Sequence, residues 1–474
     1  MTDIVFYGGL QGALFANQQF TMRNMTFYNA VTAMNVVFDW GWTFKSISIN
    51  NCSIGVDMSS GGPTKQSVGS VTFIDSSITN TPIGFKTAHD ATSQPPTAGS
   101  LILENVQLSN VPVAVQGPGG TVNLAGTTGT ATVAGYGQGH SYTPNGPTNF
   151  QGTITPFSRP GSLVRGGKYY ERSKPQYATT PVSQFSSTRS GGAKGDGVTD
   201  DTAALQRIIL FAALTGKIVF FDAGTYKVTS TLYIPQNSKL VGESYSVIMS
   251  SGNFFANINF PQPVVRVGLP RESGTIEWSD MIVSTQGAQA GAILIEWNLA
   301  SHGTPSGMWD VHTRIGGFDG SNLQVPQCPT TPTVSTPPAP VKSSCIAAYL
   351  SMHVTKTATN LYLENVWLWT ADHDLDDPIS TQITVYTGRG LYIESVAGTI
   401  WLLVFSSLIT EYWLSERTFS VGTAVEHHSK YQYQLANTRN VFMGQIQTET
   451  AYVVTLQSHI YCSYSGAVLI ALNE

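Results

Sequence analysis

Residues 422–450, GTAVEHHSKYQYQLANTRNVFMGQIQTET, carry two glutamates, Glu426 and Glu449, 23 positions apart in a chain of which only 11% is charged. If the strands around them stack as successive rungs of a coil, that spacing returns the backbone to the same place one layer further on. The two carboxyls then become neighbours. In MGQIQTE, Gln445, Gln447 and Glu449 alternate with Ile446 and Thr448, and Val425 opposes Glu426, so both glutamates share an outward face. Rungs stack about 4.8 Å apart. At that range like charges repel, and one carboxyl keeps its proton more readily than the other. One acid and one base is what cleavage of a glycosidic bond requires. The same spacing also describes a polar ladder on a solvated face.

The flanking residues extend this chemistry. His427 and His428 suit a pocket wall or bonds to sugar hydroxyls, and equally a structural role. Gln447 shares the face of Glu449. Tyr431 and Tyr433, with Trp367 and Trp369, are platforms for a pyranose ring, although aromatics on stacked strands also serve as packing. No set of His, Cys, Asp and Glu has metal-ligand spacing, so neither metal nor cofactor is expected.

Holding such residues is a task for a repetitive β fold. Met25-Thr26-Phe27-Tyr28-Asn29, Ile47-Ser48-Ile49-Asn50-Asn51, Val71-Thr72-Phe73-Ile74-Asp75 and Val106-Gln107-Leu108-Ser109-Asn110 share one pattern: apolar, polar, apolar, any, then Asn or Asp. They start 22, 24 and 35 residues apart. This predicts a solenoid of parallel strands, a little over 20 residues per coil with one insertion, and an amide ladder at the bend. Asn51, in a sequon with Cys52 and Ser53, is expected to be buried in that ladder. LENV recurs at 103–106 and 363–366, which carries the architecture into the second half. From about 116 to 192 Gly, Thr, Pro and Ser dominate, a composition of loops, with KYYERSKPQYATTPVSQFSS as an extended linker. In GAKGDGVTDDTAALQRIILFAAL, Asp200 or Asp201 can cap a helix that buries Leu205, Ile208, Ile209 and Ala212 and stops at Gly216. The chain divides into 1–165, a linker 166–190, and 191–474.

A formal charge of −5 over 474 residues gives no reason to expect nucleic acid or an anionic membrane as partner. A neutral substrate fits better. The start MTDIVFYGGLQGAL has no basic stretch followed by an apolar one, so it does not read as a signal peptide, and no segment reads as a membrane span. Four cysteines are too few for a disulfide scaffold. Cys328 and Cys345 flank a Pro/Thr-rich loop whose closure would stabilise the fold by about 3 kcal/mol in an oxidising compartment. Cys52 reads as a core thiol.

GAKGDGVTDDTAALQ resembles the opening of pectate-lyase-like β-helix modules. Combined with GMWDVHTRIGG, LENVWLWTADHDLD, the KPQY linker and the 422–450 stretch, the chain resembles glycoside hydrolase family 55, the exo-β-1,3-glucanases. The resemblance implies an all-β fold of two right-handed parallel β-helix modules side by side, the first incomplete, with the active site between them. It implies a monomer that works outside the cell and hydrolyses β-1,3-glucan from the non-reducing end with inversion, releasing glucose. By position Glu449 is the general acid and Glu426 the carboxylate that polarises water. Gln18 and Ser46 are the water-positioning residues it points to, with Gln19 and Ser48 close in register. Three stretches depart from the family: the first module starts late, 403–421 is an apolar insertion, and 451–474 is an atypical tail. An incomplete or mis-spliced product with impaired activity would account for them. A polysaccharide lyase on the same fold, or a non-catalytic glycan-binding or structural β-helix, are the alternatives.

Overall fold

The computed structural model describes residues 2–90, 93, 98–143, 145–331, 340–396, 400–403, 406–407, 423–438, 441–443 and 446–449. Apart from Leu403, Ser406 and Ser407, the 403–421 segment lies outside them, as do Gln445 and the tail 451–474.

The first half is one 12-stranded sheet wound into a coil. Thr2–Tyr7, Gln19–Tyr28, Gly41–Asn50, Ser70–Ile74 and Ser100–Gln116 stack in parallel, with Met25 opposite Ile47 and Val71 opposite both Trp42 and Leu101. A second parallel stack, Gln11–Ala16, Thr32–Phe38, Ile54–Met58 and Ile83–Thr87, closes the coil from the other side. Alternation turns Met25, Phe27, Phe44, Ile47, Ile49 and Phe73 inward, where they form one core.

The amide ladder exists, but there are two of them. Asn80 Nδ2 donates to Asn51 Oδ1 at 3.0 Å and Asn110 Nδ2 to Asn80 Oδ1 at 3.1 Å. Asp75 stands on a different bend, where it accepts from Asn105 Nδ2 at 2.6 Å and follows Ser46 in register. Rungs on the first ladder are therefore 29 and 30 residues apart from Asn51 onward, which corrects the coil length read from the sequence. Both bends use the left-handed region, with φ of 55° at Asn51, Asp75 and Ser46. Asn and Asp tolerate that region, hence one sequence pattern for two places. Asn51 is exposed, not buried, because the ladder runs along the outer corner of the coil.

The Gly/Thr-rich stretch that reads as loop contains two long strands instead. Val122–Thr143 lies antiparallel on Ser100–Gln116, and Gly146–Thr153 folds back on it. The last rung offers a row of backbone N–H and C=O groups, and satisfying them outweighs weak strand propensity.

The second half has a 14-stranded and a 6-stranded sheet, again mostly parallel, around its own core. The α-helix Thr202–Thr215 covers its first rung with Leu205, Ile208, Ile209 and Ala212, and Gly216 ends it at φ 70°. Asp200 accepts from the Thr202 N–H, while Asp201 turns back to the N–H groups of Lys194 and Gly195. Cys328 and Cys345 form a disulfide with Cα atoms 5.8 Å apart.

The linker is clamped between the halves. Tyr169 stacks on Phe442 at 3.8 Å, in a cluster that also holds Ile74, Leu163, Trp309 and Tyr362. Arg23 of the first half donates to Glu364 of the second at 2.8 Å, and both side chains are buried. Lys174 bonds Asp280 and Asp310 at 2.8 Å each.

Candidate active site

Val366–Thr370, Thr423–Glu426 and Ile446–Glu449 are successive parallel strands, with Trp369, Glu426 and Glu449 in one row. Leu368 and Val425 are fully buried in the core, and alternation places Glu426 on the opposite face of its strand from Val425. The 23-residue spacing thus lands Glu426 and Glu449 opposite one another on adjacent rungs.

The two carboxyls have unequal surroundings. Glu426 is only 6% exposed, whereas the Glu449 side chain is 39% exposed. Trp367 Nε1 donates to Glu426 Oε2 at 3.0 Å. Burial, and then the charge of Glu449, push the Glu426 carboxyl up to about 7, against the pull of that indole N–H. Trp367 and Trp369 stack at 5.0 Å beside it. Trp369 is buried and Trp367 partly so, which makes this pair the wall against which Glu426 rests.

His427 takes φ 62°, a left-handed conformation that is uncommon for a residue with a side chain. The kink sends its N–H to the Glu449 carbonyl at 2.9 Å and its ring Nε2 to within 3.2 Å of Glu449 Oε2. Its Nδ1 lies 3.1 Å from the Thr370 carbonyl and 3.6 Å from Asp372 Oδ1. Burial opposes charge on this ring, but the Glu449 bond and the Asp372 and Glu426 carboxylates outweigh it and raise its pKa.

Of the two roles open to His428, its surroundings match the structural one. Its Nε2 is 2.7 Å from Ser351 Oγ, its Nδ1 is 3.1 Å from Gln432 Oε1, and burial pushes it down to about 3, so it stays neutral. It has neither access nor a spare nitrogen for a ligand.

Of the remaining candidates, Gln447 shares the Glu449 strand, while Tyr431, Gln18 and Ser46 have their described contacts elsewhere. Tyr431 is exposed on Tyr431–Leu435, in the 6-stranded sheet. The backbone of Gln447 pairs with Ala424, and its side chain is outside the described residues. Gln18 is exposed, with its carbonyl taking the Trp40 N–H at 2.6 Å. Ser46 donates to Glu171 Oε2 of the linker at 3.1 Å. Among the described residues the hydrogen bonds of Gln18 and of the Ser46 side chain go to Asn17, Trp40, Gly41, Lys45 and Glu171. Asp372 was missed, although it sits in the WTADHD run two residues beyond the strand beneath Glu426. Among the described residues no group of three His, Cys, Asp or Glu can hold a metal ion. A cavity of about 390 Å³ opens beside the first half's hairpin, lined by His89, Asp90, Asn123 and Phe150 and by neither glutamate.

With this geometry in place, similarity becomes informative. The chain is 47% identical over 455 residues to a glucan 1,3-beta-glucosidase of Cochliobolus carbonum, covering 95% of this chain and 54% of that protein. It is also 38% identical to a protein of Arthroderma benhamiae named "probable glucan endo-1,3-beta-glucosidase", over 95% of this chain and 60% of that one. A third relative, from Penicillium expansum and named "Non-secreted LysM effector LysM15", is 37% identical over 95% of this chain and 31% of its own length. A family model described as "Rhamnogalacturonase A/epimerase, pectate lyase-like" matches residues 1–57 and 185–299. The resemblance to family 55 and the β-helix reading are borne out. The chain spans about half the length of the curated relatives it matches.

Proposed function

We propose that the chain carries the hydrolytic site of a β-1,3-glucan glucosidase, with Glu426 and Glu449 as its acid–base pair. The observation that carries this reading is the pairing of the two glutamates across adjacent rungs with unequal burial.

Glu426 is the general base in this reading. A carboxylate raised to about 7 is a far better proton acceptor than one at the usual value, and it is ionised at or above neutral pH. Its indole partner fixes one oxygen and leaves the other for water. Glu449, more exposed and beside His427, is the general acid at the leaving oxygen. Water between the sugar and Glu426 attacks C1 from the face opposite the leaving group, which gives inversion. Release from the non-reducing end as glucose follows from the family 55 resemblance. Gln18 and Ser46 stand outside this reading, because their contacts lie elsewhere. The relatives' names support β-1,3-glucan as the substrate. The disulfide supports an oxidising, extracellular setting.

Laminarin incubated with the purified chain, followed by NMR of the first product, tests this. Glucose appearing first as the α-anomer supports it. Initial β-anomer excludes inversion, an ultraviolet-absorbing unsaturated product marks a lyase, and binding without products marks a glycan-binding module.

A further inference from the structure

His427 touches Glu449 twice, through its backbone N–H and through its ring. The ring's other nitrogen faces the Thr370 carbonyl at 3.1 Å. A carbonyl only accepts, so Nδ1 carries a hydrogen and donates it there. Exchange is therefore confined to Nε2, the atom 3.2 Å from Glu449 Oε2. One proton on that axis belongs either to an imidazolium beside a carboxylate or to a carboxylic acid beside a neutral imidazole. Such a pair titrates as a unit.

We propose that His427 is a positioning residue that keeps Glu449 supplied with its proton, held in place by Thr370 and Asp372. The inference rests on Glu449 being the general acid. In each turnover Glu449 gives its proton to the glycosidic oxygen, which leaves with the C1–O electron pair, while water bonds to C1 and loses a proton to Glu426. Glu449 is then a carboxylate. It takes a proton from His427 Nε2, and His427 is refilled from solvent. The Glu449 side chain is 39% exposed, so the Nε2 side of the ring, where the proton is replaced, reaches water. Among the described residues the titratable groups that face His427 are Asp372, Glu449, and its chain neighbours Glu426 and His428. Three are carboxyls that favour the imidazolium, and His428 is neutral. These carboxyls hold the proton on the His427–Glu449 pair to a higher pH than a lone imidazole would.

The left-handed backbone makes two replacements discriminating. His427→Asn suits positive φ and retains a donor at the Nδ1 position for Thr370, but it loses the reach to Glu449. His427→Gln keeps a polar group near Glu449 that does not titrate. On laminarin, His427→Asn is expected to lose about tenfold or more in kcat with KM within about twofold of wild type. In both variants the alkaline limb of the pH–rate profile moves down by about one pH unit or more, and in Asp372→Asn it moves the same way by less. A merely structural histidine would lower the rate at every pH and leave the limb in place. An unmoved limb in folded His427→Gln, or in Asp372→Asn should the histidine variants not fold, overturns the proposal. NMR titration of His427 in wild type and Glu449→Gln separates this inference from the reaction it rests on. A lower His427 pKa in Glu449→Gln confirms the pair even if no glucose is released, which would sink the hydrolase reading alone. An unchanged titration overturns the pair.

Discussion

Carboxyls at the seam between the two halves and carboxyls at the candidate site include buried members of each, Glu364 and Glu104 at the first and Glu426 at the second, yet they have different partners. At the seam each faces a permanent cation: Glu364 has Arg23, Glu104 has Arg159, Glu277 has Arg172, and Asp280 and Asp310 share Lys174. At the site Glu426 faces an indole N–H, and Glu449 faces a histidine. Among the described residues no Lys or Arg lies within ion-pair distance of Glu426. Burial pushes Glu104 and Glu426 up to about 7 alike, although Arg159 pulls Glu104 back. A raised pKa therefore does not by itself mark a catalytic group. What separates the two regions is whether the neighbour can let a proton go. Arginine cannot, so the seam is fixed charge that holds the halves in register. At the site the histidine can gain and lose a proton and the indole brings no fixed charge, so the protons there are mobile.

The comparison can be broken at either end. Glu449→Gln is expected to lower glucose release from laminarin by about 10²–10⁴-fold with the thermal transition nearly unchanged, since this side chain is substantially exposed. Arg23→Met does the reverse. It strands Glu364 without its cation in a buried place and should cost about 3–5 kcal/mol in chemical denaturation.

Next comes Glu426→Gln measured for stability as a function of pH. The folded carboxyl is raised from 4.5 to about 7, so its favourable protonated form is fully present below pH 4.5 and is lost as pH rises through 7. Wild type thus carries a burden above pH 7 that glutamine lacks. The variant should be level with wild type at pH 4 and more stable at pH 8, by at most about 3 kcal/mol. A difference that does not change with pH would mean that Glu426 is solvated. Smallest is Trp367→Phe, which removes the indole donor. The acidic limb of kcat/KM, centred near pH 7, should then move upward by about one unit, worth about 1.4 kcal/mol.

How far these places were legible in the sequence follows from backbone geometry. The glutamate pair was readable because alternation and coil length act together: Val425 and Leu368 point in, and 23 residues make one turn. The ladder was misread because Asn51 and Asp75 sit at different corners that impose the same left-handed requirement. Periodicity counts corners without telling them apart. The histidines were ambiguous for a related reason. Simple alternation would turn His428 out with Glu426, but the kink at His427 breaks the alternation and swings His427 to Glu449 and His428 to Ser351. A positive φ at a histidine leaves no mark in composition. Nor does the Gly/Thr-rich stretch announce two strands, since its pairing answers the edge of the rung beneath it and not its own propensity. Asp372 became visible only through contact, 54 residues from Glu426 in sequence and beside the His427 ring that Thr370 holds.

The most direct trial sets Glu426→Gln beside Glu104→Gln, two buried glutamates raised alike, and measures glucose released from laminarin per folded molecule. The account predicts that Glu426→Gln abolishes release while Glu104→Gln keeps the wild-type rate and loses only stability. Release retained by Glu426→Gln, or lost equally by both, would contradict it.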